Sequence, residues 1–191
     1  MKMKKLLAVV LTGVMAVSML TGCASIKTRQ IADELEGMLR GANTKATVKA
    51  VDDDLAAAAI KGIKNDDGTL KTGDAAKTGV KEKLTTEKYK DKNNDKYIWY
   101  ACFATKDLKK ADKAQKVAKT IVGANGQINT TAAVNSDSVK VGEKTGDNIK
   151  AGDKFELSMK EFTVGTGEAK TDYVMVVVTC KAVEVPTEAA E

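Results

Sequence analysis

Half of the eight aromatic residues of this chain lie in one short segment, Tyr97–Ala104. Aromatic residues make up only 4 % of the 191 positions, so this concentration of rings constrains the fold more than any other pattern. Aromatic and β-branched side chains fit the pleated surface of a sheet. The segment therefore predicts a strand.

Other strands are predicted where apolar and polar residues alternate. The segment Thr44–Val51 places Ala46, Val48 and Ala50 on one face, as a short strand does. Turn residues such as Asn135-Ser136-Asp137 separate the later candidates, and short turns between consecutive strands favour antiparallel pairing. These later candidates are 127–134, 139–143, 154–163 and 173–185.

Helices are predicted where apolar residues recur at intervals of three and four. One such helix runs to about Arg40, one follows Asp52-Asp53-Asp54, one includes part of 75–84 and one spans 107–122. Together the elements predict an α+β fold: a single domain with a mostly antiparallel sheet of about five or six strands and helices on one face.

The complete absence of histidine excludes several kinds of active site. Ser-His-Asp and Cys-His centres, His-ligated zinc and an imidazole proton shuttle all need this residue. No serine lies in a G-x-S-x-G setting. The sequence therefore predicts no catalytic residues and no cofactor. An enzyme with this sequence would have to use carboxylates as catalytic groups. Nothing in the sequence singles out two of the 26 acids as a catalytic pair.

The first 23 residues have three features in a fixed order. Lys2, Lys4 and Lys5 precede the uncharged run Leu6–Leu20, and Leu20-Thr21-Gly22-Cys23 follows. As a helix the run would be about 22 Å long, too short for a hydrocarbon core of about 30 Å. It is typical of an export signal. The segment resembles the signal peptide and lipobox of bacterial lipoproteins, which implies cleavage before Cys23 and a diacylglycerol thioether on its sulfur.

This resemblance divides the chain and assigns its location. Residues 1–22 become a signal peptide that is removed, and 23–43 carry the lipid and an N-terminal helix or tether. Residues 44–186 form the α+β domain, and 187–191 form an acidic tail. The protein is then extracytoplasmic and anchored to the bacterial cell membrane through Cys23. After position 22 there are 28 basic and 26 acidic residues, a balance that does not favour nucleic acid as a partner.

Two cysteines, Cys102 and Cys180, remain after lipidation, and each lies in a predicted strand. Exported proteins often oxidise such a pair, so a disulfide is one interpretation. Two buried, reduced thiols are the other. A catalytic thiol is not favoured, because no histidine is present to deprotonate it.

Two further patterns suggest ligands. Asp91-Lys92-Asn93-Asn94-Asp95 copies the opening of an EF-hand loop, but Lys96 replaces the expected glycine and Cys102 the expected glutamate. We expect solvated turns there and keep a calcium site at Asp91, Asn93 and Asp95 as a weaker alternative. The second pattern is a basic surface on the helix 107–122, suited to anionic headgroups or wall polymers unless it is only a solvated helix face. It comprises Lys106, Lys109, Lys110, Lys113 and Lys116.

The sequence as a whole favours a membrane-anchored envelope lipoprotein with a non-enzymatic binding or interaction domain. Its partner would be an envelope protein, a polymer or a small ligand. Two alternatives remain open: a carboxylate-dependent envelope hydrolase, and a structural lipoprotein without a discrete ligand. A cleft with facing acids of raised pKa would favour the hydrolase.

Overall fold

A sheet with helices against both faces organises the computed structural model, which describes residues 26–106, 108–165 and 170–186. This part of the chain contains four strands and five α-helices. The strands are β1 (Thr47–Ala50), β2 (Lys96–Ala104), β3 (Ile149–Val164) and β4 (Thr171–Glu184). The helices are α1 (Ile26–Leu39), α2 (Leu55–Ile63), α3 (Gly73–Leu84), α4 (Glu87–Asn93) and α5 (Lys110–Ile121).

The strand order across the sheet is β1-β3-β4-β2. β4 pairs antiparallel with both β2 and β3, whereas β1 is parallel to β3. β4 is thus an inner strand, and its central segment Val174–Val178 is buried at every position. An uninterrupted apolar run is what a strand covered on both faces requires.

Each face of the sheet has its own core. Against one face pack α1 and α5, through residues such as Leu35 and Ile121, which meet Trp99 and Phe155 of the sheet. Against the other face pack α2 and α3, through residues such as Ile63 and Val80, which meet Ile98 and Val177. Alternate residues of β2 and β4 therefore enter different cores.

The single α+β domain is confirmed, but three details of the predicted fold are wrong. The helices cover both faces of the sheet, because β4 is apolar on both of its sides. The sheet of the described part has four strands and not five or six; two of its three strand pairings are antiparallel, as expected, and β1 lies parallel to β3. Segments 127–134 and 139–143 form turns and a 3₁₀ helix, Thr130–Ala132, and not strands. Their buried apolar residues Ala133, Val134 and Val139 made them look like strands.

The helix predictions agree better with the structure. Helices occur near Arg40, after Asp54 and over 75–84, although the helix predicted from 107 begins at Lys110. The helix α4 lies where turns were expected. The predicted signal peptide, the lipidated Cys23 and the acidic tail lie outside the described residues. Within the described part, no helix has the length and apolar character that crossing a membrane requires.

Two helix backbones meet at a pair of glycines, Gly62 of α2 and Gly79 of α3. A Cβ added to Gly62 would lie 2.2 Å from the carbonyl oxygen of Gly79, and one added to Gly79 would lie 2.1 Å from that of Gly62. Both distances are far below van der Waals contact, so only glycine permits this approach. The close packing of α2 on α3 in turn covers Met175 and Val177 of β4.

We expect Gly62→Ala and Gly79→Ala each to lower the free energy of unfolding by about 3 kcal/mol, because the helices must separate to admit a methyl group. Urea unfolding, monitored through the fluorescence of the buried Trp99, measures the effect. Gly37→Ala is the matched control, since Gly37 lies within α1 with no atom within 4 Å of a new Cβ. There we expect a gain of about 0.5–1 kcal/mol. Wild-type stability of both Gly62→Ala and Gly79→Ala would contradict the prediction.

Candidate functional site

The outer edge of β2 is an edge of the sheet, so its outward-pointing backbone groups have no neighbouring strand. These groups belong to the even-numbered residues, as Ile98 shows. The Ile98 N–H donates to Asn135 Oδ1 at 3.0 Å, and the Ile98 carbonyl accepts from the Val134 N–H at 2.8 Å. In an antiparallel pair the direction alternates along the strand, so Tyr100 and Cys102 also present their N–H and C=O outward.

The first half of this edge is covered by the segment 133–140. The buried Asn135 imitates a strand, because its amide nitrogen donates to the Lys96 carbonyl at 2.8 Å while its amide oxygen accepts from Ile98. The Lys140 N–H donates to the Asn94 carbonyl at 3.1 Å. The N–H and C=O of Ile98 and the carbonyl of Lys96 are thereby satisfied without another strand.

The second half of the edge, Tyr100–Ala104, receives no such cover from the described residues. A cleft of about 500 Å³ runs along it, with α3 on one side and α5 on the other. We call this cleft the β2 groove. Its walls are formed by Gly73, Asp74, Lys77, Tyr100, Ala101, Cys102, Phe103, Lys116, Lys119, Thr120, Ala132 and Val134.

The β2 groove carries more positive than negative charge. Lys77 of α3 and Lys116 and Lys119 of α5 line it, whereas Asp74 is the only acid among its described lining residues. All three lysines are exposed at the surface. The ammonium of Lys116 lies 5.9 Å from the centre of the Phe103 ring, a cation–π distance that keeps this charge beside the open strand edge.

A smaller pocket of about 330 Å³ opens beside the groove on the α3 face of the sheet. Tyr100, Cys102 and Gly73 line both spaces. Leu70 and Ala76 add apolar surface to the smaller pocket. The two spaces together provide a mainly apolar recess on the α3 side of the strand edge, which Lys71 and Lys77 also line, and Lys116 and Lys119 on the α5 side.

Neither thiol in the described part is prepared for nucleophilic chemistry. Burial raises the pKa of Cys102 to about 11 and that of Cys180 to about 12. Both therefore remain protonated near neutral pH, and a protonated thiol is a poor nucleophile. Cys102 contributes only a small apolar surface to the groove.

The predicted disulfide between Cys102 and Cys180 is wrong, and both cysteines are free. In the register Cys102 is opposite Met175, whereas Cys180 is opposite Tyr97. The separation of five positions from Met175 to Cys180 corresponds to about 17 Å along the strand. The two side chains also enter different cores. Each cysteine lies on an apolar side of its strand, as expected, but the sides belong to opposite faces of the sheet.

The calcium alternative at Asp91, Asn93 and Asp95 is also wrong. Asp91 and Asn93 belong to the helix α4 and not to a loop. The Asn93 side chain is buried and donates to the Leu84 carbonyl, while Asp95 forms a 3.2 Å ion pair with Lys181. Among the described residues, no group of three or more acids or cysteines has the arrangement that would hold a metal ion.

The predicted basic surface is divided by the structure. Lys116 reaches the β2 groove, whereas Lys113 lines another cleft together with Glu161 and Asp172. The remaining members, Lys106, Lys109 and Lys110, are exposed around the start of α5. Sequence analysis missed Lys77 and Lys119 as groove residues. Lys119 follows Lys116 by three positions on α5, so continuing the helical spacing would have found it, but nothing in the sequence relates Lys77 to them.

A second cleft, of about 560 Å³, is lined by four acids: Asp52, Asp53, Asp54 and Glu161. Two of these acids are already paired, because Asp54 contacts Lys88 and Glu161 lies 3.5 Å from Lys27. A hydrogen bond from Lys88 holds the pKa of Asp54 below its usual value. A charged, paired carboxylate is the opposite of the raised-pKa acid that a hydrolase needs.

The chain was also compared with protein-family models, with curated proteins and with solved structures, and none of the three comparisons gives a match.

We expect Asn135→Ala to lower the free energy of unfolding by about 2–3 kcal/mol, because it leaves the Ile98 N–H and the Lys96 carbonyl without partners. Urea denaturation measures the loss. Asn125→Ala is the control, since the exposed Asn125 accepts a hydrogen bond from the Gln127 N–H that water can replace. That change should alter stability by less than about 0.5 kcal/mol. Equal effects of the two substitutions would show that Asn135 does not hold the strand edge.

Proposed function

We propose that this chain is a lipid-anchored binding protein of the bacterial envelope and that it binds its partner in the β2 groove. The observation that carries the proposal is the open half of the β2 edge, which faces a cleft lined by three lysines. Exposed strand edges are templates for pairing with another chain, and folded proteins usually cover them. Here Asn135 covers one half only.

Binding without catalysis agrees with the chemistry of the described groups. Acids with shifted pKa values, such as Asp54, Asp67 and Asp137, are held below the usual value by hydrogen bonds from Lys88, Thr69 and Lys81. Both thiols have raised pKa values. The chain has no histidine to act as a base near neutral pH. We therefore assign no catalytic role to the groove.

The anchor and the groove lie at the same end of the fold under this proposal. Ile26, the first residue of α1, is three residues after Cys23, a reach of about 10 Å. Lys27 forms an ion pair with Glu161 near the end of β3. β2 also ends on this side, because Thr105 donates to the Asp172 carbonyl beside the start of β4. A lipid on Cys23 thus holds the open half of β2 close to the membrane surface.

The anchor is tested by fractionation and mass spectrometry of cells that express the full chain. We expect an acylated Cys23 at the N-terminus of the membrane-bound protein and release of the protein from membranes by Cys23→Ala. Cys102→Ala is the control and should leave the location unchanged. Intact Met1 on the mature protein, or membrane retention of Cys23→Ala, would contradict lipidation.

The groove is tested by site-specific photo-crosslinking in the envelope. A benzophenone side chain at Lys119, inside the groove, should give a discrete adduct, because a bound partner lies within contact of that residue. The same probe at Lys92, exposed on α4 away from the groove, is the control. Adducts of equal yield at both positions, or at neither, would contradict the assignment of the groove as the binding surface.

A further inference from the structure

We propose that the ligand of the β2 groove is an extended, acidic segment of a partner protein, which joins the sheet as an additional strand beside β2. This inference rests on the proposed binding function and names the ligand's chemistry. Strand addition is a known mode of peptide recognition, in which backbone hydrogen bonds provide affinity and alternate side chains provide specificity.

The backbone groups of β2 have the spacing that such a ligand needs. Tyr100 and Cys102 each present an N–H and a C=O to the groove, two residues or about 6.8 Å apart. Val134 and Asn135 already supply hydrogen bonds to the preceding outward residue, Ile98. A ligand strand would continue this ladder from the point at which Asn135 ends it.

The walls of the groove specify alternating side chains. Residues of an added strand point in turn toward α5 and toward α3. The α5 side offers Lys116 and Lys119, which suit a carboxylate, while the α3 side offers the apolar recess beside Leu70 and Ala76. Lys77 adds positive charge at the rim of the α3 side. Acidic residues alternating with small apolar residues match this arrangement.

A second copy of the chain does not suit the same edge. Pairing of two β2 edges would bring Lys77, Lys116 and Lys119 of one copy against the equivalent lysines of the other. Like charges facing across strands are unfavourable. Sugar polymers, in turn, offer no regular row of N–H and C=O groups to pair with Tyr100 and Cys102. An acidic protein segment satisfies both the backbone and the charges.

The test uses the full chain in detergent micelles and synthetic peptides of alternating glutamate and valine. We expect the peptide to bind and to slow hydrogen exchange at the Tyr100 and Cys102 amides at least tenfold. Two peptide versions carry N-methyl groups on alternate residues, so that each blocks one edge of the peptide strand. One version should lose binding and the other should keep it, because only one edge faces β2.

Protein variants separate the contribution of the lysine charges to binding from that of the backbone hydrogen bonds. Lys116→Gln with Lys119→Gln should weaken binding by roughly two- to fivefold per lysine, whereas Lys83→Gln with Lys92→Gln, outside the groove, should not change it. Cys102→Pro removes an outward N–H without removing a bond to β4, so it should abolish binding of the peptide. If that variant fails to fold, the N-methylated peptides still decide the question.

Each of the following outcomes would overturn the inference. Equal binding by both N-methylated peptides, or a bound peptide that leaves exchange at Tyr100 and Cys102 unchanged, would exclude strand addition while leaving the groove a binding site. No binding of the glutamate–valine peptide, together with a discrete crosslink at Lys119, would show that the groove takes a different ligand. Reversible dimerisation through β2 would show that the edge serves a second copy. Failure of the Lys119 crosslink itself would reject the proposed function.

Discussion

Burial of β4 on both faces is the constraint on which the rest of this structure depends. The strand pairs with β2 on one side and β3 on the other, and Val174–Val178 contributes alternately to two cores. A strand of this kind needs helices above and below it. The chain supplies α1 and α5 for one face and α2 and α3 for the other. The Gly62–Gly79 contact allows α2 and α3 to pack closely enough to close the second core.

This arrangement also determines where the sheet must end. With β4 in the middle and only four strands in the described part, β2 becomes an edge strand although it carries the buried Trp99. An edge strand with a large apolar side chain risks uncontrolled pairing unless something covers it. Asn135 and its neighbours cover the half that contains Ile98. The half that contains Tyr100 and Cys102 is flanked by lysines instead. Under the proposed function, one half of β2 is covered by the chain itself and the other half binds the partner.

Much of the fold follows from local sequence patterns, because helices and strands impose periods of 3.6 and 2 on their apolar residues. The strands at Tyr97–Ala104 and Tyr173–Val185 and the helix within 75–84 were predictable for this reason. The two-sided coverage of β4 was indicated by Val174–Val178, but a run of five apolar residues does not by itself reveal how many layers surround it. Segments 127–134 and 139–143 were misassigned, because apolar residues such as Ala133, Val134 and Val139 are buried there in turns and not in strands.

The site was much less predictable than the fold. Lys116 belonged to a predicted basic surface, but Lys77 lies on another helix, some forty positions earlier in the chain. Only tertiary packing brings it to the same groove. The disulfide prediction failed for a related reason, because periodicity assigns Cys102 and Cys180 to apolar sides without saying that these sides face opposite layers. No sequence pattern indicated the role of Asn135. Its side-chain amide takes the place of a strand only because the loop that carries it has one particular conformation.

Under the proposed function, stability and recognition use different groups in this protein. The ion pairs of the described part are exposed to solvent to a large extent, as in Lys27–Glu161 and Lys144–Glu184, so each contributes little to folding. The groove lysines Lys77 and Lys119 take part in no ion pair within the described residues, and their charge is available to a ligand. Folding free energy comes instead from the two cores and from the satisfied half of β2. If the groove binds the proposed acidic segment, its charges can therefore be changed to suit that partner while the sheet that presents them stays unchanged.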